Sequence, residues 1–299
     1  MFSFDDIPDQ TGRVIVITGA NTGLGLVCAQ ELAKKNAHVI LACRSKEKTQ
    51  PVVDQIKSTT GNQNVEYMQL DLLSLASVNA FVAAFKNRGL PLHVLIANAG
   101  IMYAPFTLSE DGIESQFATN HVGHHMLVVG LLPVIEKSAP ARIVVVSSLA
   151  HRLLLSGGLA LENISNPKYY NFHFAYARSK LANILMVREL NRQLEERGVK
   201  DVWCNSVHPG AVKTELQRFI PRIMSAVAGW FLISPEQGAL TQLYAATSPQ
   251  IVEKNYRARY FTPIAKLSEP TCDAQNDALA KQLWDFTEQL INEKIPNRA

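Results

Sequence analysis

A phenol and an ammonium lie four residues apart in Tyr176-Ala-Arg-Ser-Lys180, so a helix through them presents both on one face. Free, these groups have pKa values of about 10 and about 10.4, too high for proton transfer near neutrality. A cation held roughly 5 Å from the phenolate, in an effective dielectric of about 20, stabilises it by about 3 kcal/mol, which is roughly two pKa units. The pair is therefore expected to make Tyr176 acidic enough for general acid-base catalysis. Ser148 can donate a hydrogen bond to a substrate oxygen and hold it against the tyrosine. Ser147 competes for that role, but neighbours on a strand point to opposite faces, so only one of the two can serve. Asn120 lies in an apolar helical stretch, Phe117-Ala-Thr-Asn-His-Val122, where an amide is costly to bury unpaired.

The elements that must position these groups are legible as apolar runs. Arg13-Val-Ile-Val-Ile-Thr18 reads as a strand, Gly19-Ala-Asn-Thr-Gly23-Leu-Gly25 as a turn, and Val27 to Lys35 as a helix. Strand, glycine turn and helix in that order suit a dinucleotide. The glycines let backbone approach a pyrophosphate, and the amides at the helix start favour its charge. The spacing differs from Gly-x-Gly-x-x-Gly, with three residues between Gly19 and Gly23. Further strands are expected at His38-Val-Ile-Leu-Ala42, Val65 to Leu70, His93 to Ala97, Ile143 to Ser147 and Val202 to Val207.

With these motifs the chain resembles the short-chain dehydrogenase/reductase family, whose glycine segment reads Thr-Gly-x-x-x-Gly-x-Gly, as Thr18 to Gly25 does. Asp71-Leu72 stands where that family holds the adenine ring. Asn98-Ala99-Gly100 is similar to its Asn-Asn-Ala-Gly turn, with Ala97 in place of the first asparagine, and Pro209-Gly210 closes the sixth strand. The resemblance implies an α/β fold, a Rossmann-type doubly wound parallel sheet of about seven strands in three α/β/α layers. It selects Ser148 over Ser147 and makes Asn120, Ser148, Tyr176 and Lys180 the catalytic set. Asn120 would hold a water in a proton relay, and Lys180 would also bind the nicotinamide ribose. The cofactor would lie along Gly19, Asn21, Thr22, Gly23, Leu24, Asn98, Ala99 and Gly100, with Pro209, Gly210, Val212 and Thr214 covering the nicotinamide.

Charge selects the cofactor. An acidic residue roughly 20 positions beyond the glycines accepts bonds from a ribose 2′-hydroxyl, whereas arginine suits a 2′-phosphate. Here the second strand runs into Cys43-Arg44-Ser45-Lys46, with no carboxylate before Glu47. The expectation is NADP(H), gripped by Arg44 with Lys46 or Lys48 adding charge.

Composition fits one domain spanning residues 1–299, with 47% hydrophobic residues and a net charge of +3. No basic run is interleaved with aromatics, so nucleic acid is not an expected partner. Cys28, Cys43, Cys204 and Cys272 are scattered and read as reduced thiols. The opening Met1-Phe-Ser-Phe-Asp-Asp-Ile-Pro reads as neither signal nor anchor, and the expected location is cytoplasmic. His121, His124 and His125 have helical spacing, but without an acid or cysteine beside them no metal site is expected. No Gly-x-Ser-x-Gly elbow supports a serine hydrolase.

Residues 151–175 read as a substrate flap, and the apolar run from Phe219 to Ile233, within substrate-loop helices at 213–235, is too short to span a bilayer. That run could line a pocket for a lipophilic carbonyl or alcohol, lie on a membrane surface, or cap the core. Ser148-Leu-Ala-His151, the long insert and Ser234-Pro-Glu-Gln-Gly-Ala239 resemble the retinol dehydrogenase and WW-domain oxidoreductase branch of the family. A homodimer through the helices around Asn120 and Tyr176 is compatible with the resemblance. Reduction of a carbon-carbon double bond, or NADPH-gated regulation without turnover, are the remaining alternatives.

Overall fold

Strands buried on both faces read as continuous β-branched runs rather than alternating ones, and the six runs do join in one sheet. In the computed structural model, which describes residues 1–154, 158–212 and 233–299, these are β1 (Val14–Thr18), β2 (His38–Cys43), β3 (Val65–Gln69), β4 (Val94–Ala97), β5 (Ala141–Val146) and β6 (Val202–Val207). Two short strands, β7 (Tyr260–Thr262) and β8 (Lys266–Ser268), extend the sheet to the order β3-β2-β1-β4-β5-β6-β7-β8. Every pairing is parallel except β7 with β8. The eighth strand therefore adds an antiparallel edge to the seven expected from the resemblance.

The helices are α1 (Gly23–Lys34), α2 (Lys46–Thr60), α3 (Leu75–Asn87), a short α4 (Ser115–Phe117), α5 (Gly123–Lys137), α6 (Phe172–Glu196), α7 (Pro235–Thr247), a short α8 (Gln250–Glu253) and α9 (Asp277–Lys294). One core lies between the sheet and α1, α2 and α7, where Ile15, Ile17, Val144 and Leu243 meet. The other lies between the sheet and α3, α5, α6 and α9, where Val16, Val145, Leu127 and Leu185 meet. Alternation along each strand feeds both cores, giving three layers. α9 packs along α6 and against α5, tied by His125 Nε2 to Glu288 at 2.8 Å and by His121 Nε2 to Thr287 Oγ1 at 3.1 Å. The α5–α6 face suggested for a homodimer is thus met by a helix of the same chain.

The order reverses between β1 and β4, and in a doubly wound sheet a crevice opens there at the carboxyl ends of the strands. Among the described residues, no helix is long and apolar enough to cross a membrane. Of the apolar 219–233 run only Ile233, bridged to Val212, lies within the described residues.

Candidate active site

The glycine turn closes tightly on the neighbouring strand. Gly19 has φ of 63°, and a Cβ there would sit 2.9 Å from the Cβ of Ala99; a Cβ on Gly25 would meet Asn98 Nδ2 at 2.6 Å. Only glycine fits either position. With those side chains missing, a cleft of about 570 Å³ opens, floored by Gly19, Asn21, Thr22, Gly23 and Leu24 at the start of α1. Asn98, Ala99 and Gly100 form its second wall, and Pro209, Gly210 and Val212 its far side. A second cavity of about 510 Å³ shares Gly19, Asn21, Arg44, Ala99 and Gly100 with the first and continues past Cys43 to Asp71 and Leu72. The two form one bent groove around the glycine turn, with exposed helix-start amides at its centre.

Arg44 lines both parts of the groove, joined in the first by Ser45 and Lys48. Lys46 does not line it. α2 begins at Lys46, capped by the Ser45 hydroxyl, and two helical steps of about 100° put positions 46 and 48 on opposite sides of the first turn. The cation that joins Arg44 is therefore Lys48. Thr214 lies outside the described residues.

Ser148, Tyr176 and Lys180 meet in the first part of the groove. Ser148 follows the end of β5, and Asn171 caps α6 by accepting from the amides of His173 and Phe174, which starts the helix one turn before Tyr176. Tyr176 lines the cleft beside Ser148 and is 4% exposed. Ser147 points the other way and donates to the Lys180 carbonyl at 2.7 Å, as strand alternation requires. Lys180 Nζ donates to the Val146 carbonyl at 3.0 Å and lies 5.6 Å from the centre of the Tyr176 ring.

The expected acidification of Tyr176 is not found. Burial pushes the phenol up from its ordinary value, with the Ser148 hydroxyl opposing and Tyr103 reinforcing the rise. Burial also lowers Lys180, to about 8. The loss of water disfavours both charged forms and outweighs the attraction within the pair.

Asn120 sits in a π-helical stretch, Ala118–Val122, between α4 and α5. Such stretches recur at functional sites. Its Oδ1 accepts from the Ile101 amide at 2.8 Å, and its Nδ2 donates to the Ile101 carbonyl and to Ser179 Oγ, both at 2.9 Å. Both amide N–H groups are thus engaged in holding the loop after β4 against α6.

Motif reading did not give Tyr103, and it weighed His208 only as a partner of Ser147 and Ser148 in acyl transfer. Tyr103 stands edge-on to Tyr176 with ring centres 5.7 Å apart, its backbone at φ 57°. His208 lines the cleft beside Pro209, and burial holds its pKa down to about 4. The residue preceding a Pro-Gly turn was a usable signal for His208; for Tyr103 the contact is purely tertiary. Among its described residues the flap region is entered by a 3-10 turn at Leu149–Leu153 and carries others at Leu161–Asn163 and Pro167–Tyr169, and it is anchored by the Tyr170 hydroxyl donating to the Ala104 carbonyl.

A glycine-cradled groove at the reversal of a doubly wound sheet, with Ser, Tyr and Lys at one end, defines an oxidoreductase of the short-chain dehydrogenase family, and the chain belongs to that family. The model for short chain dehydrogenases matches residues 13–160. Within the family, the chain falls in the branch of the retinol dehydrogenases and WW domain-containing oxidoreductases. It is 42% identical to human retinol dehydrogenase 11 over 284 residues, covering 94% of this chain and 86% of that one. It is 40% identical to the chicken WW domain-containing oxidoreductase over 299 residues, covering 97% and 71%. Among solved structures, an uncharacterized protein from Mycobacterium paratuberculosis superposes with a TM-score of 0.79 at 33% identity, covering 97% of each chain.

Proposed function

We propose that the chain is an NADP(H)-dependent enzyme that interconverts a carbonyl and an alcohol on a lipophilic small molecule, with Tyr176 as general acid and base. The observation that carries this reading is that Ser148, a buried Tyr176 and Lys180 line one end of the glycine-floored groove. The cleft of about 570 Å³ is floored by Gly19 to Leu24 at the start of α1, where helix-start backbone suits a pyrophosphate, so the residues present fit a dinucleotide. Arg44, with Lys48 beside it, favours a 2′-phosphate over a bare ribose.

When bound, the nicotinamide supplies or accepts the hydride. The Ser148 and Tyr176 hydroxyls converge where both can donate to a substrate oxygen. In the reductive direction Tyr176 enters protonated, as burial requires, and gives its proton to that oxygen as negative charge builds there. The resulting phenolate has the Lys180 ammonium 5.6 Å from its ring centre, and Lys180 in turn is steered by the Val146 carbonyl. Asn120 keeps Ile101 and α6 at fixed separation. Exposed Leu149, Leu153, Phe172 and Phe174 flank Ser148 and Tyr176 in sequence, which suits an apolar substrate. The name of the human relative points to retinol, an apolar alcohol.

The test is NADPH consumption with a panel of lipophilic aldehydes and ketones, products identified by mass. Tyr176→Phe should bind NADPH like the parent and lose turnover by roughly a hundredfold or more. Equal turnover by the two proteins would remove Tyr176 from the mechanism, and saturation of a carbon-carbon bond would identify the enone reductase instead.

A further inference from the structure

The three histidines near Asn120 divide their partners. All three are fully buried, but His121 and His125 face α9 whereas His124 faces the sheet at Thr18. His124 Nδ1 lies 3.0 Å from the Asn120 carbonyl oxygen, an atom that can only accept, so Nδ1 carries the ring proton. Nε2 is then a bare lone pair, 2.9 Å from Thr18 Oγ1, whose proton it accepts. The same Thr18 oxygen accepts from the amides of Asn98 and Ala99, each at 2.9 Å. One donor and two acceptor sites exhaust a hydroxyl. The network therefore assigns a single tautomer, and inverting or protonating the imidazole breaks one end of it. Burial keeps the ring neutral, with its pKa lowered to about 4.

The two ends of this chain of bonds belong to different halves of the site. Thr18, Asn98 and Ala99 form the wall against which the glycine turn closes. Asn120 is bonded to Ser179, which donates to the Tyr176 carbonyl at 2.8 Å and directly precedes Lys180. Resting on the reading of the groove as a dinucleotide site, we propose that His124 is a positioning residue that holds the cofactor cradle and the catalytic helix in mutual register, Nε2 serving the first and Nδ1 the second.

Two substitutions separate the halves. An asparagine amide reaches the place of Nδ1, and a glutamine amide that of Nε2. His124→Asn should keep kcat near the parent value and weaken NADPH binding roughly tenfold, whereas His124→Gln should keep NADPH affinity and lower kcat roughly tenfold, the scale on which small misplacements act. NADPH affinity is read by fluorescence titration and kcat with the best carbonyl of the panel. His124→Leu added to Thr18→Val should weaken NADPH binding little further, because the bond that Nε2 makes is already gone once the hydroxyl is removed. The proposal is overturned if His124→Asn and His124→Gln lose both parameters alike, or if the Thr18 and His124 effects multiply. A parent protein that binds no NADPH overturns the reading of the groove and this proposal together; one that binds, with variants falling in step, overturns the proposal alone.

Discussion

Arg44 stands at the bend of the groove, exposed, with no carboxylate among the residues lining either part beside it except Asp71 at the far end of the second. Charge-assisted hydrogen bonds to a phosphate contribute about 1.5–3 kcal/mol, so Arg44→Ala should weaken NADPH binding by roughly tenfold or more and change NADH binding far less. Titrating both cofactors decides it, and identical affinities in the parent protein would remove the preference altogether. At this scale much of the site was readable. Ser148, Tyr176, Lys180, Asn98 and Arg44 carry local motifs, and all line the groove. Lys46 was misplaced because sequence adjacency ignores the turn of α2. The direction of the Tyr176 shift was misjudged because burial is a property of the whole fold.

Between residues and molecule lie the turns that set distances. Gly100 is one of them: a Cβ there would lie 3.0 Å from Asn120 Oδ1 and 3.6 Å from Lys180 Nζ. Asn120 is held by three hydrogen bonds and has no freedom to retreat, so Gly100→Ala should destabilise the protein by about 1–3 kcal/mol and impair turnover. Urea unfolding measures the first, and an unchanged midpoint would mean that the loop after β4 gives way instead. The glycine turn itself was legible because its signal is local, a β-branched run followed by closely spaced glycines. The π-helical register at Ala118–Val122 was not, since periodicity reports a helix without distinguishing five-residue from four-residue closure.

Across the molecule, the buried histidines set a pH limit. His124 and His208 have pKa values lowered from 6.5 to about 4, chiefly by burial. Between those values the unfolded chain binds protons that the folded one refuses, so stability falls as pH drops from about 6.5 toward 4 and is unaffected by these groups above that range. Each contributes at most on the order of 3 kcal/mol. The melting temperature should decline over that window, and less steeply in His208→Gln; a flat profile from pH 7 to 4 would contradict the burial. The first six strands followed from the apolar runs and the doubly wound arrangement from the family resemblance, while β7 and β8, three residues each, gave too little pattern to read.

The π-helical stretch also has a meaning in the currency of insertions and deletions. From Ser115 to Lys137 the chain is one helical run carrying a single surplus residue, with Gly123 N–H reaching back to the Ala118 carbonyl. Excising one residue there would restore α geometry and swing the Ser115–Phe117 end by about 100° about the axis. Gln116, which accepts from the Tyr103 amide, would be turned away from its loop relative to Asn120. The surplus residue is thus a reading-frame marker for the site: a homologue with the gap at this point cannot be aligned through it residue by residue, and one that retains it inherits the spatial relation of Tyr103, Asn120 and Tyr176 as a unit.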